Sequence, residues 1–407
     1  MATVSEVWLR SILQLLYQRR TLTRTEILEA TGLNPASISQ ALRWLLHRGT
    51  LVKVGELASK GGRRAEVFSL NAEAAYFIGV DLEGLRIRFA LTNMPGDIRY
   101  RWEEDLEFGQ PLDVKKLHHG IRRLLAELDP TQRQRVIAIG VSYPGTLDEK
   151  GELTAVNLGW HSFPLVTELT KGVDLPVFLE PDKHSCILAE RWFGRAQNHR
   201  SGLFLIVERG IGLGIFLEGK PVEGWHGMTG EIGHCTIDPN SALQCACGRK
   251  GCLEAYASSP NIVRLYQEES RRKLSGVAHL RITDVFDRAR QGDATAIKVV
   301  NQASVALGLG LSHAVNLINP EIIVLGGDVV SAEDLMLPVI WETIRKHTWA
   351  DLSRDLKLTV SGLGMDIRVK GAASLALRKS LHSSELIKKI TSTMMPSSAR
   401  RVKKHAG

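Results

Sequence analysis

The sequence predicts an α/β protein in two parts, a winged helix-turn-helix at the N-terminus followed by a duplicated α/β body. The chain has 407 residues, which is too many for one ordinary core, so more than one domain is expected. The first seventy residues contain three helical patterns and then two strand patterns. From residue 76 the segment YFIGVDLEGLRIRFAL reads as strand, turn, strand, and GLFLIVERGIGLGIFLEG repeats this design about 125 residues later.

The helical segments at the N-terminus carry their own start and stop signals. Apolar residues in VWLRSILQLL recur at helical spacing and predict a first helix. Thr23 and Glu26 form a capping-box pair that begins a second helix, and Gly32 ends it, because glycine tolerates the left-handed conformation of a tight turn. Asn34 can cap a third helix, with Pro35 at its first position, where no N–H is required. Short helices joined by a glycine turn predict a helix-turn-helix.

The third helix and the segment after it offer the groups that DNA recognition needs. One side of the helix is apolar, and the other side is small and polar, with side chains able to reach base edges in a major groove. The segment TLVKVGELASKGGRRAEVFSL reads as strand, loop, strand, and its basic tip can reach phosphates or a minor groove. A small helical protein-interaction domain is the alternative. The predicted DNA contacts are Ser37, Ser39, Gln40, Arg43, Arg63 and Arg64.

Composition excludes a disordered or fibrous chain, since 44% of the residues are hydrophobic and 24% are charged. The net charge of +8 is concentrated at the ends: residues 1–70 carry ten Lys/Arg against five Asp/Glu, and residues 382–407 carry six against one. Basic ends suggest a polyanionic partner, although SSARRVKKHAG fits better with a flexible, solubilising tail. We find no apolar run of membrane-spanning length and no signal peptide pattern, so a cytoplasmic location without membrane contact is expected.

Gly-rich turns between alternating strands and helices give the body the layout of the actin-like sugar kinase fold. VIAIGVSYPGTLD reads as a buried strand that runs into a Pro-Gly loop. Residues from about 76 to 380 resemble the ROK family, which contains sugar kinases and sugar-responsive repressors, and a helix-turn-helix in front of such a body resembles the repressor branch. The resemblance is carried by GVSYPGTLD (140–148), NLGW (157–160), TGEIGH (229–234), CACGRKGCLE (245–254), NPEIIVLGGD (319–328) and GAASLAL (371–377).

Four of the five cysteines lie with a histidine in residues 233–254, GHCTIDPNSALQCACGRKGCLE. His234, Cys245, Cys247 and Cys252 offer one nitrogen and three thiolates, a set typical of closed structural zinc sites, whereas catalytic zinc sites keep one position open for water. Clustered cysteines in a cytosolic chain favour a metal over disulfides. Structural zinc is therefore the predicted cofactor, and Cys186, which lies apart in the sequence, is predicted to be a core residue.

The resemblance to the ROK family implies a sugar pocket beside this cluster. In the family the ligand histidine also faces the sugar, and the glutamates of GEIGH and GCLE accept protons from sugar hydroxyls. Metal ligation through one ring nitrogen fixes the direction of the other nitrogen. The alternative for each glutamate is a salt bridge or a helix cap. The sugar contacts implied by the resemblance are Asn157, Asp182, Glu231, His234 and Glu254.

The motifs that a ROK kinase needs are altered in this chain. The Asn-Asp pair of the kinases reads Pro181-Asp182, which removes one side-chain amide from the sugar site. The first phosphate loop of the kinases resembles DIGGTK but reads DLEGLR at residues 81–86. The second loop resembles GTGVG but reads ERGIG at residues 208–212. Each loop lacks its threonine hydroxyl and contains a glutamate in a place where glycine would approach a phosphate.

The added charge argues against ATP binding. One like-charge contact at about 4 Å costs about 4 kcal/mol at an effective dielectric constant of about 20. Glu83 and Glu208 would each make such a contact, and Arg86 and Arg209 are the candidates for offsetting part of the cost. We therefore expect no useful ATP binding and no enzymatic activity.

The hypothesis from the sequence is a homodimeric or homotetrameric regulator that binds operator DNA and a sugar or sugar-derivative effector. The predicted division is a winged helix-turn-helix at residues 1–70, a body at 71–381 with the zinc insert, and a flexible tail at 382–407. The alternatives are an ATP-dependent sugar kinase with a DNA-binding arm and a body that binds a partner protein. Lys183, His184 and Arg209, near the cleft, either favour an acidic or phosphorylated sugar or belong to the solvated surface.

Overall fold

A computed structural model of the chain describes residues 4–57, 64–83, 86–107, 110, 112–155, 158–270 and 280–392. Arg63, with the rest of the predicted wing tip, and Asn157 lie outside these ranges. Within the described residues, the predicted α/β fold is confirmed, with a winged helix-turn-helix followed by a duplicated body.

Helices and a small antiparallel sheet alternate in the N-terminal winged helix-turn-helix. Its elements are α1 (Glu6–Arg19), β1 (Thr21–Thr23), α2 (Arg24–Thr31), α3 (Pro35–His47), β2 (Leu51–Leu57) and β3 (Ala65–Leu70). The strand order is β1-β3-β2. The two predicted wing strands, β2 and β3, therefore pair with each other, and a short strand that the sequence pattern did not indicate, β1, pairs with β3 at the edge.

Side-chain caps fix the ends of these helices as predicted. The hydroxyl of Thr23 accepts the backbone N–H of Glu26 at 3.3 Å, and the Glu26 carboxylate accepts the backbone N–H of Thr23 at 2.7 Å. Gly32 ends α2 with a φ of 65°, and the Asn34 side chain accepts the N–H of Ser37 at 2.8 Å. The turn between α2 and α3 is therefore specified by local sequence.

The body has two lobes, each built on a five-stranded sheet. The first lobe contains β4 (Tyr76–Glu83), β5 (Arg86–Asn93), β6 (Ile98–Asp105), α4 (Val114–Ala126), α5 (Pro130–Arg133), β7 (Val136–Tyr143), β8 (Thr146–Leu147), β9 (Leu153–Ala155), β10 (Trp160–Phe163), α6 (Leu165–Thr170) and β11 (Val177–Pro181). The second lobe contains β12 (Gly202–Val207), β13 (Ile211–Leu217), β14 (Lys220–Pro221), α8 (Leu253–Ala257), α9 (Ser259–Ser270), α10 (Ile282–Arg290), α11 (Ala294–Ile318), β15 (Ile322–Gly327), α12 (Glu333–His347) and β16 (Lys357–Val360).

The two large sheets have the same topology. The first has the order β11-β7-β4-β5-β6 and the second the order β16-β15-β12-β13-β14. Each sheet contains an antiparallel hairpin, β4–β5 or β12–β13. The first strand of the hairpin pairs on its other side with a parallel strand, β7 or β15, and a second parallel strand follows. In folds of this kind, ligands bind beside the carboxyl ends of the central strands. The predicted duplication is thus confirmed by strand order.

Helices of the body connect it tightly to the winged helix-turn-helix. These helices are α7 (Asp182–Phe193), α13 (Ile367–His382) and α14 (Ser384–Ser392). Tyr17 of α1 packs edge-on against Trp192, with 4.7 Å between ring centroids, and its hydroxyl lies 3.1 Å from that of Ser374. Arg10 donates to the carbonyl of Leu381 at 3.0 Å. One hydrophobic core therefore extends from the winged helix-turn-helix into the first lobe.

The C-terminal segment differs from the predicted flexible tail over residues 384–392. These residues form α14, and Leu386, Ile387 and Ile390 are buried in the core shared with α1. Lys388 also pairs with Glu6 at 3.2 Å. The apolar residues recur at helical spacing inside a basic segment, and their burial outweighs the composition on which the prediction rested.

Among the described residues, α11 is long and apolar enough to cross a membrane, with 25 residues. In the structure 56% of its most apolar window is buried. Its apolar residues belong to the core of the second lobe, where they pack with α8, α10 and α12. The helix therefore has the burial of a core helix.

Candidate functional site

A cavity of about 870 Å³ lies between the two lobes of the body. Its walls come from β4, the β12–β13 turn, the first residues of α7, α8 and α13, and the segment before α8. We call one part the Glu231 end, lined by Asp182, Glu231, His234 and Glu254. We call the other part the Arg368 end, lined by Asp81, Glu83, Glu208 and Arg368.

The Glu231 end unites the described residues that the family resemblance implies for sugar binding. Asp182 begins α7 directly after β11, and its Oδ1 accepts the N–H of Lys183 at 2.7 Å. Burial raises the pKa of Asp182 above its usual value, and the charge of Arg368 opposes this shift, so Asp182 interacts with both ends of the cavity. Glu254, near the start of α8, is 4% exposed and accepts the N–H of Ile211 at 3.1 Å. Glu254 thus has a structural contact and also lines the cavity.

Lys183 brings a positive charge to the Glu231 end. Its side chain is 5% exposed, lines the cavity and forms an ion pair with Glu231. Its aliphatic stem lies over Gly212, where an added Cβ would be 3.7 Å from the Lys183 Cβ. His184 is different: it is 2% exposed, and its Nδ1 lies 3.2 Å from a carboxylate oxygen of Glu180. Only Lys183 of this pair therefore belongs to the cavity wall.

The predicted metal ligands converge beside the Glu231 end. His234 Nδ1 lies 3.6 Å from Cys245 Sγ, and the sulfur atoms of Cys247 and Cys252 lie 3.8 Å apart. All four ligand atoms lie within 4.8 Å of one another. A tetrahedral ion with metal–sulfur bonds of about 2.3 Å and a metal–nitrogen bond of about 2.0 Å sets its ligand atoms roughly 3.6–3.8 Å apart. The four residues therefore fit a metal ion, and Cys235 lies exposed outside the set.

Three carboxylates line the Arg368 end. Asp81 and Glu83 lie on β4 in the first lobe, and Glu208 directly follows β12 in the second. Asp81 is 1% exposed, and burial raises its pKa to about 7. Burial, followed by the charge of Glu208, also raises the pKa of Glu83. The two glutamates that replace glycine in the family pattern thus place their charges at the same end of the cavity.

Two arginines balance these carboxylates. Arg368, the second residue of α13, is 6% exposed and lies 2.5 Å from a carboxylate oxygen of Glu208 and 3.8 Å from one of Asp81. Arg88 on β5 forms an ion pair with Glu83. Because Asp81 and Glu208 belong to different lobes, Arg368 links the two lobes across the cavity.

The sequence named other arginines for this task. Arg86 lies 2.9 Å from Glu103 and 3.1 Å from Asp105, both on β6, and its charge lowers the pKa of Glu83 less than the charges of Arg88 and Arg368 do. Arg209 does line the cavity. Arg368 left one signal, because it and Lys370 are the charged residues in the small and apolar start of the helix, IRVKGAASLAL. The pairing of Lys183 with Glu231, 48 residues away, left none.

The outer side of α3 carries most of the predicted DNA contacts. Ser39 and Gln40 are partly exposed and Arg43 is exposed, with its Nε donating to the Ser39 carbonyl at 3.2 Å. Arg64 is exposed at the start of the second wing strand. Ser37 is only 5% exposed, which contradicts its place among the outward contacts. It lies in the first turn of α3, on the side that faces the core.

The fold and the cavity define a class of protein: an actin-like sugar kinase body that carries a winged helix-turn-helix. The chain belongs to the ROK family, because the ROK family model matches residues 77–379. It is 27% identical over 380 residues to the xylose repressor of Bacillus spizizenii, which covers 92% of this chain and 96% of that protein.

Other relatives include an enzyme and a regulator of known structure. The chain is 32% identical over 312 residues to the glucokinase of Halalkalibacterium halodurans, covering 74% of this chain and 94% of that enzyme. A crystal structure of a ROK family transcriptional regulator, a homolog of the Escherichia coli MLC protein, superposes with a TM-score of 0.77 at 26% identity and covers 95% of this chain and all of that one. The matches to regulators therefore extend over more of this chain than the match to the enzyme.

Proposed function

We propose that the protein is a DNA-binding transcriptional repressor of carbohydrate metabolism genes, whose body binds a sugar or sugar derivative without transferring phosphate. The observation that carries the proposal is the shared core, because it joins α1 of the winged helix-turn-helix to α7 and α13, whose first residues line the cavity. Similarity to the xylose repressor and to the regulator related to MLC, over more than nine-tenths of the chain, supports it.

Helix α13 supplies a route from the cavity to DNA. Its second residue, Arg368, contacts Glu208 of the opposite lobe, and Ser374 farther along contacts Tyr17 of α1. A ligand that closes the lobes would shift α13 and, with it, α1. In a dimer or tetramer, such a shift changes the spacing of the two recognition helices, and operator affinity follows because both half-sites must be met at once.

Each part of the chain has a proposed task in this scheme. Residues 1–70 bind operator DNA, and residues 71–381 bind the effector, in the cytoplasm. The DNA contacts are Ser39, Gln40 and Arg43 in the major groove, with Arg64 and Arg63 of the wing on phosphates. The effector contacts are Asn157, Asp182, Glu231, His234 and Glu254, whose carboxylates can accept hydrogen bonds from sugar hydroxyls.

We assign the metal as zinc with a structural role, held by His234, Cys245, Cys247 and Cys252. Three sulfurs and one nitrogen at tetrahedral separations suit zinc, and four protein ligands leave no position for a reacting water. When bound, zinc supplies rigidity. Because Nδ1 of His234 faces the cysteines, Nε2 remains for the cavity.

The charges at the Arg368 end support the proposed absence of phosphoryl transfer. A triphosphate placed there meets Asp81, Glu83 and Glu208, whose counter-ions are already engaged within the protein. The test is an ATP-dependent phosphorylation assay on a hexose panel, with the Halalkalibacterium halodurans glucokinase as positive control. We expect no sugar-dependent ADP formation. Turnover above background would favour the rival function, a sugar kinase with a DNA-binding arm.

The whole proposal is tested by selecting genomic DNA fragments on the purified protein and releasing them with a sugar panel. We expect a few fragments beside carbohydrate genes, released by one group of related sugars. Tight DNA binding with no calorimetric heat from any sugar would favour the third alternative, a body that binds a partner protein.

A further inference from the structure

We propose that Lys183 makes the Glu231 end selective for sugars that carry an anionic group, a carboxylate or a phosphate, over neutral sugars. The inference rests on the proposed function of the cavity as a sugar site. It names the chemical class of the effector and the residue that determines it.

Lys183 is an unusual group for the wall of a sugar pocket. Lysine is almost never buried unless it is paired, and this side chain is 5% exposed and paired with Glu231. Its ammonium has three N–H donors, and among the described residues the Glu231 carboxylate is its one hydrogen-bonding acceptor. Because Lys183 lines the cavity, its remaining donors are available to an acceptor on a ligand.

The same pairing weakens the pocket for a neutral sugar. One oxygen of Glu231 already accepts from Lys183, so it is less available to a sugar hydroxyl. Pro181 stands where the kinases have the asparagine amide. Two of the polar contacts that the family offers to a neutral hexose are thus reduced.

An anionic group gains from this arrangement. Consider a ligand anion about 4 Å from the Lys183 ammonium and roughly 6–7 Å from the Glu231 carboxylate. Its attraction to Lys183 exceeds its repulsion from Glu231 by a free energy that corresponds to about tenfold in affinity. The Glu254 carboxylate on the same wall opposes the anionic group, and burial disfavours the charged form of Asp182. Arg209 adds a further positive charge to the cavity wall.

The experiment is calorimetry of the full-length, zinc-loaded protein with matched sugars: glucose and xylose, glucose 6-phosphate, and glucuronate. The variant Lys183→Met keeps an unbranched stem over Gly212 and removes the charge. We expect the wild-type protein to bind at least one anionic sugar about tenfold more tightly than its neutral parent. In Lys183→Met the anionic sugars should lose about tenfold or more, while the neutral sugars gain, because Glu231 is freed. Lys183→Arg should restore the preference.

Opposite signs distinguish this role from a merely structural one, which would weaken both classes alike. A parallel loss for neutral and anionic sugars, or a wild-type preference for neutral sugars, overturns the inference about Lys183 and leaves the proposed regulator intact. No heat with any member of the panel, together with no release of selected DNA, contradicts the proposed sugar response itself. Carboxylate and phosphate as the source of the charge are separated by comparing glucuronate with glucose 6-phosphate.

Discussion

At the Glu231 end of the cavity, four side chains implied for sugar binding lie together beside a set of metal ligands. At the Arg368 end, carboxylates from both lobes surround one buried arginine. The first arrangement leaves polar groups on the cavity wall, whereas the second pairs its carboxylates with arginines of the protein itself. The comparison teaches that one cleft can carry polar groups on its wall at one end while its other end links the two lobes.

The difference has a physical basis in how each end is neutralised. A triphosphate would bring its own negative charge to the Arg368 end, where Arg368 and Arg88 already neutralise the glutamates. The Glu231 end instead holds one cation, Lys183, paired with Glu231 beside the metal ligands.

The largest effect is expected from Arg368→Met. Removing the cation leaves the buried Asp81 and the partly exposed Glu208 without their counter-ion, which should lower the free energy of unfolding by about 3–5 kcal/mol. Urea titration measures it. The control is Arg354→Met, which removes an exposed pair with Asp351 and should cost no more than about 0.5 kcal/mol. Equal losses in the two variants would contradict the role of Arg368 as counter-ion.

At the Glu231 end, Cys252→Ser removes one metal ligand. We expect loss of zinc, measured by elemental analysis, and a sugar affinity lower by about 10–100-fold, because the ring of His234 is no longer fixed. Cys235→Ser is the matched control, since Cys235 lies in the same segment but outside the ligand set. Undiminished sugar affinity in a zinc-free Cys252→Ser protein would show that the metal does not organise this end.

The pH dependence of stability should differ at the Arg368 end. The pKa of Asp81 is raised to about 7, above its value of roughly 4 in the unfolded chain, so the folded state holds this proton more tightly. This contribution is fully present below about pH 4 and is lost as pH rises through 7. Asp81→Asn should therefore gain stability over wild type by on the order of 2 kcal/mol more at pH 8 than at pH 5. A pH-independent difference between the two proteins would count against it.

The smallest effect is expected at the contact between α1 of the winged helix-turn-helix and α13, the helix that begins at the Arg368 end. Tyr17→Phe removes the hydroxyl that contacts Ser374 on α13 and should cost about 1 kcal/mol of stability. Sugar affinity should stay unchanged, while the sugar releases less operator DNA in a fluorescence anisotropy titration. Tyr100→Phe, a change at an exposed position, is the control. Full release by the sugar in Tyr17→Phe would exclude this contact from the coupling.

Local signals made part of the structure predictable. The Thr23–Glu26 capping box and the Gly32 turn act within a few residues, so the sequence alone predicts the turn between α2 and α3. The spacing of Cys245, Cys247 and Cys252 likewise predicts a ligand set, and the structure brings these sulfurs together. Hairpin motifs repeated along the chain predicted two similar lobes, and the strand orders agree.

Other features depend on tertiary packing and could not be predicted from the sequence. Arg368 is far from Asp81 and Glu208 along the chain, and only the meeting of the two lobes makes it a counter-ion. Ser37 belongs to a polar stretch, yet the packing of α3 turns it toward the core. The basic composition of α14 suggested a flexible tail. Its apolar residues are buried only because α1, which is distant in the sequence, and the separate helix α13 pack against them.

The continuous core between α1 and the body has a consequence for how such regulators can be recombined. A fragment that ends at residue 70 would expose the surface of α1 that packs against Trp192 and Ser374. A chimaera that grafts this head onto a foreign body must therefore also transplant the matching faces of α7, α13 and α14. A regulator of this kind would therefore acquire a new operator specificity more readily by point substitutions on α3 than by exchange of whole domains.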